Sequence, residues 1–412
     1  MWVYSAVIAL YVALLNVVAL WHKKARLWVE GRRGLFKRMA EVISPDDKVI
    51  WIHAASLGEF EQGRPIIERI RELKPDYKIL LTFYSPSGYE VRKEYEGADY
   101  VFYIPVDLPY SVNRFLDIAH PEISIFIKYE FWLNMLSAMR SRSMRVFLVS
   151  AIFRSDSLFF RPWGELWRVA LDTYETIFVQ DDASQKLLAE LRYDNVIVSG
   201  DTRFDRVAQI AKNCQKIEVI EQFKGNSRLF VAGSTHAADE EILFSLIESN
   251  PDVKFVVAPH DIDRERIASF RRRLTRGSLL YTECTEPHKE NSSADSAQVL
   301  VLDTVGMLSS VYGYAEWAYI GGGFGAGIHN TLEAATFGVP VSFGPNCQKF
   351  KEARDMISLE VASVVTDAES LCRWFEPLRD NAALLEECST RIREYTVKHQ
   401  GATELFVKSI IS

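Results

Sequence analysis

Several things are missing from this chain of 412 residues. Its five cysteines (Cys214, Cys284, Cys347, Cys372, Cys388) are scattered and include no CxxC pair. That excludes a disulfide framework and a cysteine zinc site, and it suits a reducing compartment. Eight histidines form no HExxH or similar set, so no metal site is expected. There is no excess of positive charge: 48 basic against 55 acidic residues give a net charge of −7, which excludes a chain that as a whole binds nucleic acid. There is no G-x-x-x-x-G-K-[ST], no low-complexity tract and no repeat of short period. Only one long hydrophobic run occurs.

That run spans Trp2 to Trp21 without a formal charge and is bracketed by tryptophans. About 20 apolar residues can cross a bilayer as a helix. A basic n-region and an A-x-A site are absent, so a membrane anchor is expected rather than a cleaved signal. Lys23, Lys24, Arg26, Arg32, Arg33, Lys37 and Arg38 follow, against Glu30 alone. This flank and the body after it are expected on the cytoplasmic side, near anionic lipids. Whether the run spans the membrane or lies in its interface stays open.

Beyond it, short apolar runs alternate with polar helical stretches. The first series is Lys48–Ala54, Lys78–Tyr84, Tyr100–Ile104, Ile123–Tyr129, Arg145–Ile152, Thr176–Gln180 and Asn195–Ser199. The second is Arg228–Ala232, Lys254–Pro259, Gln298–Leu302, Trp317–Ile320, Val339–Phe343 and Ser363–Thr366. Continuous rather than alternating apolar runs indicate parallel strands buried on both faces. At roughly 100–200 residues per domain, two doubly wound α/β domains are expected. The expected plan is an anchor at 1–22, a Rossmann-like domain at 23–212, a linker at 213–226, a second Rossmann-like domain at 227–390 and a terminal helix at 391–412. In such sheets ligands bind beyond the carboxyl ends of the strands.

Candidate residues follow those strand ends. Trp51-Ile-His-Ala-Ala-Ser-Leu-Gly-Glu59 places Glu59 near a helix start, where it either takes a proton from an attacking hydroxyl or only complements the helix dipole. Ile127-Lys-Tyr-Glu130-Phe-Trp132 places a second carboxylate after a strand. Gly200-Asp-Thr-Arg203-Phe-Asp205 offers a cation for a leaving phosphate. Ala232-Gly-Ser-Thr-His236 is rich in hydroxyls, with Ser234 and Thr235 as binding candidates. The glycine-rich turn Gly321–Gly327 lets backbone N–H groups approach a phosphate, and Asn330-Thr-Leu-Glu333 follows it. Glu333 fits either a capping box or a carboxylate on ribose hydroxyls. Asp261-Ile-Asp263 matches a D-x-D pattern but sits in a solvated, charged stretch.

These motifs, in order, resemble the bacterial 3-deoxy-D-manno-octulosonic acid (Kdo) transferases of lipopolysaccharide synthesis. The resemblance rests on H-A-A-S-L-G-E-F (His53–Phe60), K-Y-E-F-W (Lys128–Trp132), G-D-T-R-F-D (Gly200–Asp205), A-G-S-T-H (Ala232–His236), D-T-V-G-M-L (Asp303–Leu308) and G-I-H-N-T-L-E-A-A-T-F-G-V-P-V (Gly327–Val341). It implies a two-domain GT-B glycosyltransferase with CMP-Kdo as donor and no metal or other cofactor. It implies a lipid A precursor (lipid IVA) as acceptor, at the cytoplasmic face of an inner membrane. It makes Glu59 the base and assigns transition-state stabilisation to Glu130 and Arg203. CMP contacts fall on Pro259, His260, Gly306, Met307, Leu308, Asn330, Thr331, Leu332 and Glu333. Three departures stand out: Pro259-His260 lacks the family's intervening arginine, Met307 stands where glutamate is common, and Arg203 stands where lysine is common. A UDP-sugar transferase or 2-epimerase of the same fold, and a non-catalytic nucleotide or lipid binder, are the rival readings. Nucleotide competition separates the first rival, since CMP should bind and UDP should not.

Overall fold

A computed structural model describes residues 1–162, 164–214, 216–285 and 297–411. The chain divides into two compact units, Met1–Arg206 with Gln400–Ser412, and Val207–His399.

The first unit holds seven parallel strands: β1 (Val49–Ala54), β2 (Lys78–Phe83), β3 (Tyr100–Tyr103), β4 (Ile123–Ile127), β5 (Arg145–Ala151), β6 (Thr176–Val179) and β7 (Val196–Val198). Their order is β3-β2-β1-β4-β5-β6-β7, so the sheet reverses direction between β1 and β4. Every residue of β1 and β4 is buried, because helices cover both faces. The helix Ala402–Ile411 packs on this unit through Phe406, Val407 and Ile410. Asp205 caps it, accepting from the Gly401 and Thr403 backbone N–H groups at 2.6 and 2.7 Å. That is the structural task of one residue in the Gly200–Asp205 motif.

The second unit holds β8 (Arg228–Thr235), β9 (Val253–Pro259), β10 (Ser278–Leu280), β11 (Val299–Val301), β12 (Trp317–Ile320), β13 (Val341–Phe343) and β14 (Ala362–Val364). Their order is β10-β11-β9-β8-β12-β13-β14, all parallel, with the reversal between β8 and β12. The two-sheet α/β architecture expected from the apolar runs is therefore present. The strand β10 was not anticipated: it is three residues long, only half-buried, and sits at a sheet edge where the apolar signal is weakest. The stretch expected as a linker contains the helix Glu218–Lys224, whose Ile220 and Phe223 are buried. The helix Ala382–Lys398 stays with the second unit, whereas the helix after it returns to the first.

The hydrophobic run at the start is not one continuous helix. A helix covers Trp2–Val18, and Arg26 then binds the carbonyls of Ala19 and Leu20 as the chain turns. Among the described residues no helix is long and apolar enough to cross a membrane. The anchor expected from the run is thus not confirmed as a spanning helix. Instead Tyr4 donates to Asp107 at 2.8 Å, Ser5 bonds Asn134 at 3.2 Å and Tyr11 meets Tyr84 at 3.0 Å. Its polar side chains face the unit, while Val3, Val7, Leu10, Leu14 and Val17 form an exposed stripe. Arg32 also departs from the expected basic flank. Its guanidinium donates to the carbonyls of Trp28, Tyr84 and Ile104 and stacks 3.8 Å from the Trp28 ring. Burial pulls its pKa down, and the residue works as a strut rather than as surface charge.

Candidate active site

In the first unit, the loops leaving β1 and β4 flank the point where the strand order reverses. After β4 the backbone turns through Lys128, a non-glycine residue at φ 74°. Such backbone costs about 1–2 kcal/mol and recurs at functional sites. It brings Glu130 back into the unit, where the residue is 4% exposed. The Glu130 carboxylate faces His53 Nε2 at 3.1 Å and accepts the Trp132 indole N–H. The Glu130 carbonyl accepts the Tyr174 hydroxyl.

A relay reaches this carboxylate from behind. The Trp51 indole donates to Thr82 Oγ1 at 2.8 Å, and His53 Nδ1 lies 2.8 Å from that hydroxyl and 3.1 Å from the Thr82 carbonyl. His53 Nε2 on the far side of the ring then meets the Glu130 carboxylate. The carboxylate is thereby held between the Trp132 indole N–H and the His53 ring in a nearly dry setting. Sequence reading quoted His53 only as part of a motif. The usable signal was a polar ring inside a strand whose every position is buried.

Glu59 occupies the first turn of the helix Leu57–Leu73 and accepts the Ser56 hydroxyl. It is half-buried, in contrast to Glu130. Arg203 is bound to Asp201 through its backbone N–H at 2.9 Å and its Nε at 2.8 Å. Thr202 donates to the Gln62 carbonyl at 2.6 Å, tying this segment to the helix that carries Glu59. The Tyr129 phenol links the pieces: burial raises its pKa, Arg154 and Arg203 pull it down, and Asp181 and Glu59 push it up. Glu59 and Arg203 thus both act on the charge of the phenol next to Glu130 in the chain.

In the second unit, the candidates follow β8, β9, β11 and β12. Ser234 has φ 53° and interrupts the pairing of β8 with β9. Thr235 is buried and its hydroxyl donates to Glu240, so the fold uses that hydroxyl internally. Glu333 is fixed from two sides, by the Ser309 hydroxyl at 2.6 Å and by Asn330 Nδ2 at 2.9 Å. That brings the Gly306–Leu308 and Asn330–Glu333 segments together. The capping box expected there takes another form: Asn330 Oδ1 accepts from Leu332 N, and Glu333 is bound by side chains. Gly306 needs its φ of 94°, which a larger residue rarely adopts. Thr331 and Leu332 are fully buried and so support the turn.

The glycine-rich turn serves packing more than anticipated. A Cβ on Gly321 would lie 2.2 Å from the Ser234 carbonyl, and one on Gly323 would lie 2.6 Å from Gly344. The N–H groups of Gly321, Gly322 and Gly325 bond Gly233, Asp239 and Gly322. Asp263 of the D-x-D pattern caps the helix Arg264–Arg273, accepting from Glu265 N and Arg266 N. Beyond Pro259, His260 meets two histidines the sequence reading did not single out as ligands. His236 Nε2 lies 3.1 Å from His329 Nε2, and the His260 and His329 rings stack at 4.3 Å. Burial, then the neighbouring His260 and His236, hold His329 down to a pKa of about 4.

The same two-unit fold occurs in the UDP-GlcNAc 2-epimerase of Neisseria meningitidis, at a TM-score of 0.62 and 15% identity over 88% of this chain and 99% of that one. It occurs also in Acinetobacter baumannii MurG, at 0.54 and 13% identity over 88% and 99%. Two Rossmann-like units with candidates at both points of strand reversal define the GT-B type of fold. Residues 29–206 match the family model for 3-deoxy-D-manno-octulosonic-acid transferases. Curated relatives with that name include those of Haemophilus influenzae, 25% identical over 87% of this chain and 86% of the relative, and Bordetella pertussis, 28% identical over 86% and 85%. The chain is thus similar to the Kdo transferases along most of its length.

Proposed function

We propose that this chain transfers Kdo from CMP-Kdo to the 6-hydroxyl of the distal glucosamine of a lipid A precursor, inverting the anomeric carbon without a metal. The observation that carries the reading is Glu59, a half-buried carboxylate steadied by Ser56 at a helix start. The second unit holds the donor, with Glu333 on the ribose and the Asn330 turn near the phosphate. The first unit holds the acceptor. Glu59 takes the hydroxyl proton as the oxygen attacks the anomeric carbon. The bond from that carbon to the phosphate oxygen breaks, and its electron pair leaves with CMP. Glu130 faces the positive charge growing on the sugar ring, and Arg203 the departing phosphate.

A cavity of about 370 Å³ supports a lipid acceptor. Tyr11, Leu15, Val18, Trp28 and Tyr84 give it apolar walls, with Lys24 at its side. Tyr84 also packs 5.0 Å from Trp132, the indole that holds Glu130. The outward stripe of the first helix then rests in the membrane surface, on the cytoplasmic side, beside the exposed Lys23, Lys24, Arg33 and Lys37. Flotation with anionic vesicles checks this: Leu10→Asp with Leu14→Asp should abolish binding, and unchanged binding would refute the contact.

The activity test uses fresh CMP-Kdo, a tetra-acylated lipid A precursor, EDTA, and mass detection of product. Product is expected. A folded protein that binds UDP in preference to CMP and makes no product would refute the reading.

A further inference from the structure

The histidine cluster of the second unit lies beside the candidate donor residues, yet no role given so far uses it as a whole. Its three residues come from three separate strand ends. His236 follows β8, His260 follows β9, and His329 ends the turn after β12. Their ring nitrogens lie within 4.8 Å of one another. Gly322, at φ 91°, permits the arrangement, since a Cβ there would lie 2.9 Å from the His329 ring.

Three histidines at this spacing suggest a metal site, but the ring geometry argues otherwise. An imidazole binds a metal through a lone pair in its own plane, so rings that share one ion meet at their edges. Here His260 and His329 lie face to face, 4.3 Å apart and 25° from parallel. The His236 and His329 planes differ by only 18°. His236 Nε2 and His329 Nε2 share one proton at 3.1 Å, and the remaining ring N–H groups of the stack suit acidic oxygens instead.

We propose that His236, His260 and His329 form a receiving row for the acidic oxygens of the donor, its phosphate or its sugar carboxylate. The inference rests on the donor reading above and adds His236 and His329 to the binding residues. The groups facing His329 are His236, His260, Asp239 and Asp261. Asp239 is already bound to Tyr319, His236 N and Gly322 N, so it is not available to an incoming ligand. His329 resists protonation first because it is buried and then because His260 and His236 repel its charge. An anion reverses that balance, so binding takes up a proton and weakens as pH rises.

Calorimetry on the full chain tests this with CMP and cytidine, on wild type, His236→Gln and His329→Gln, in two buffers of different ionisation heat. Wild type should prefer CMP by about tenfold or more, with proton uptake. If the variants lose that preference and bind cytidine as before, the row takes the phosphate. If CMP binding holds but KM for CMP-Kdo rises about tenfold, the row takes the sugar carboxylate. Variants that bind CMP and turn over CMP-Kdo like wild type would overturn the proposal. So would equal losses for CMP and cytidine, or one zinc per wild-type chain that is absent from the variants. A wild type that takes UDP instead of CMP would sink the donor reading alone, and the ratio would then be measured with UDP and uridine.

Discussion

The two sheets reverse at equivalent places and build opposite environments there. Each carries a serine at φ 53°, Ser150 in β5 and Ser234 in β8, where the register of a neighbouring strand pair slips. In the first unit the polar groups turn inward: Thr82, His53 and Trp132 converge on the nearly buried Glu130, and the more accessible Glu59 stands apart from them. In the second unit they turn to the open: His260 is exposed and Glu333 is only part-buried. A carboxylate network in a dry setting suits charge that changes during reaction. A stack of imidazoles and a fixed carboxylate suit the recognition of a nucleotide. On the proposed reading, one topology yields a reacting half and a holding half.

That contrast can be broken at several points. The largest effect is expected at Glu59→Gln, a loss of about 10²–10⁴-fold in transfer rate with the fold intact by circular dichroism. Next comes Glu130→Ala, which strips His53 and Trp132 of their acceptor. A loss of about 10²–10³-fold in kcat is expected, with a lower Tm. Arg32→Ala should cost about 1.5–3 kcal/mol in denaturant unfolding, since three carbonyls lose a charged donor. Activity per folded molecule should change far less.

The smallest effect is a pH slope in the second unit. Unfolded, the His329 imidazole takes a proton below about 6.5, whereas the folded protein holds it off until about 4. Stability should therefore fall as pH drops through that window, and His329→Gln should flatten part of the slope measured by thermal unfolding. An identical slope in the variant would show that His329 is not shielded in the fold.

Much of this was legible beforehand for a physical reason. Parallel strands buried on both faces write themselves as unbroken apolar runs, and thirteen of the strands carry that mark in the sequence, from β1 to β14 with β10 excepted. Motifs at strand ends were equally visible, because open α/β sheets put chemistry there. Contacts between distant segments were not. Nothing in the sequence ties Asp205 to Gly401, or Ser309 to Glu333, and spacing alone could not bring His236, His260 and His329 into one stack. Arg32 read as surface charge because two of its aromatic partners, Tyr84 and Tyr103, come from distant parts of the chain. The first helix misled for a similar reason: hydropathy counts residues but does not reveal that Tyr4, Ser5 and Tyr11 point at the body.

The division into a reacting and a holding half is tested most directly by measuring CMP binding and single-turnover transfer on one pair of variants, Glu59→Gln and Glu333→Gln. The account predicts that Glu59→Gln binds CMP as wild type does and transfers at least about a hundredfold more slowly, while Glu333→Gln loses CMP affinity. Transfer by Glu59→Gln at the wild-type rate, or its loss of CMP binding, would contradict it.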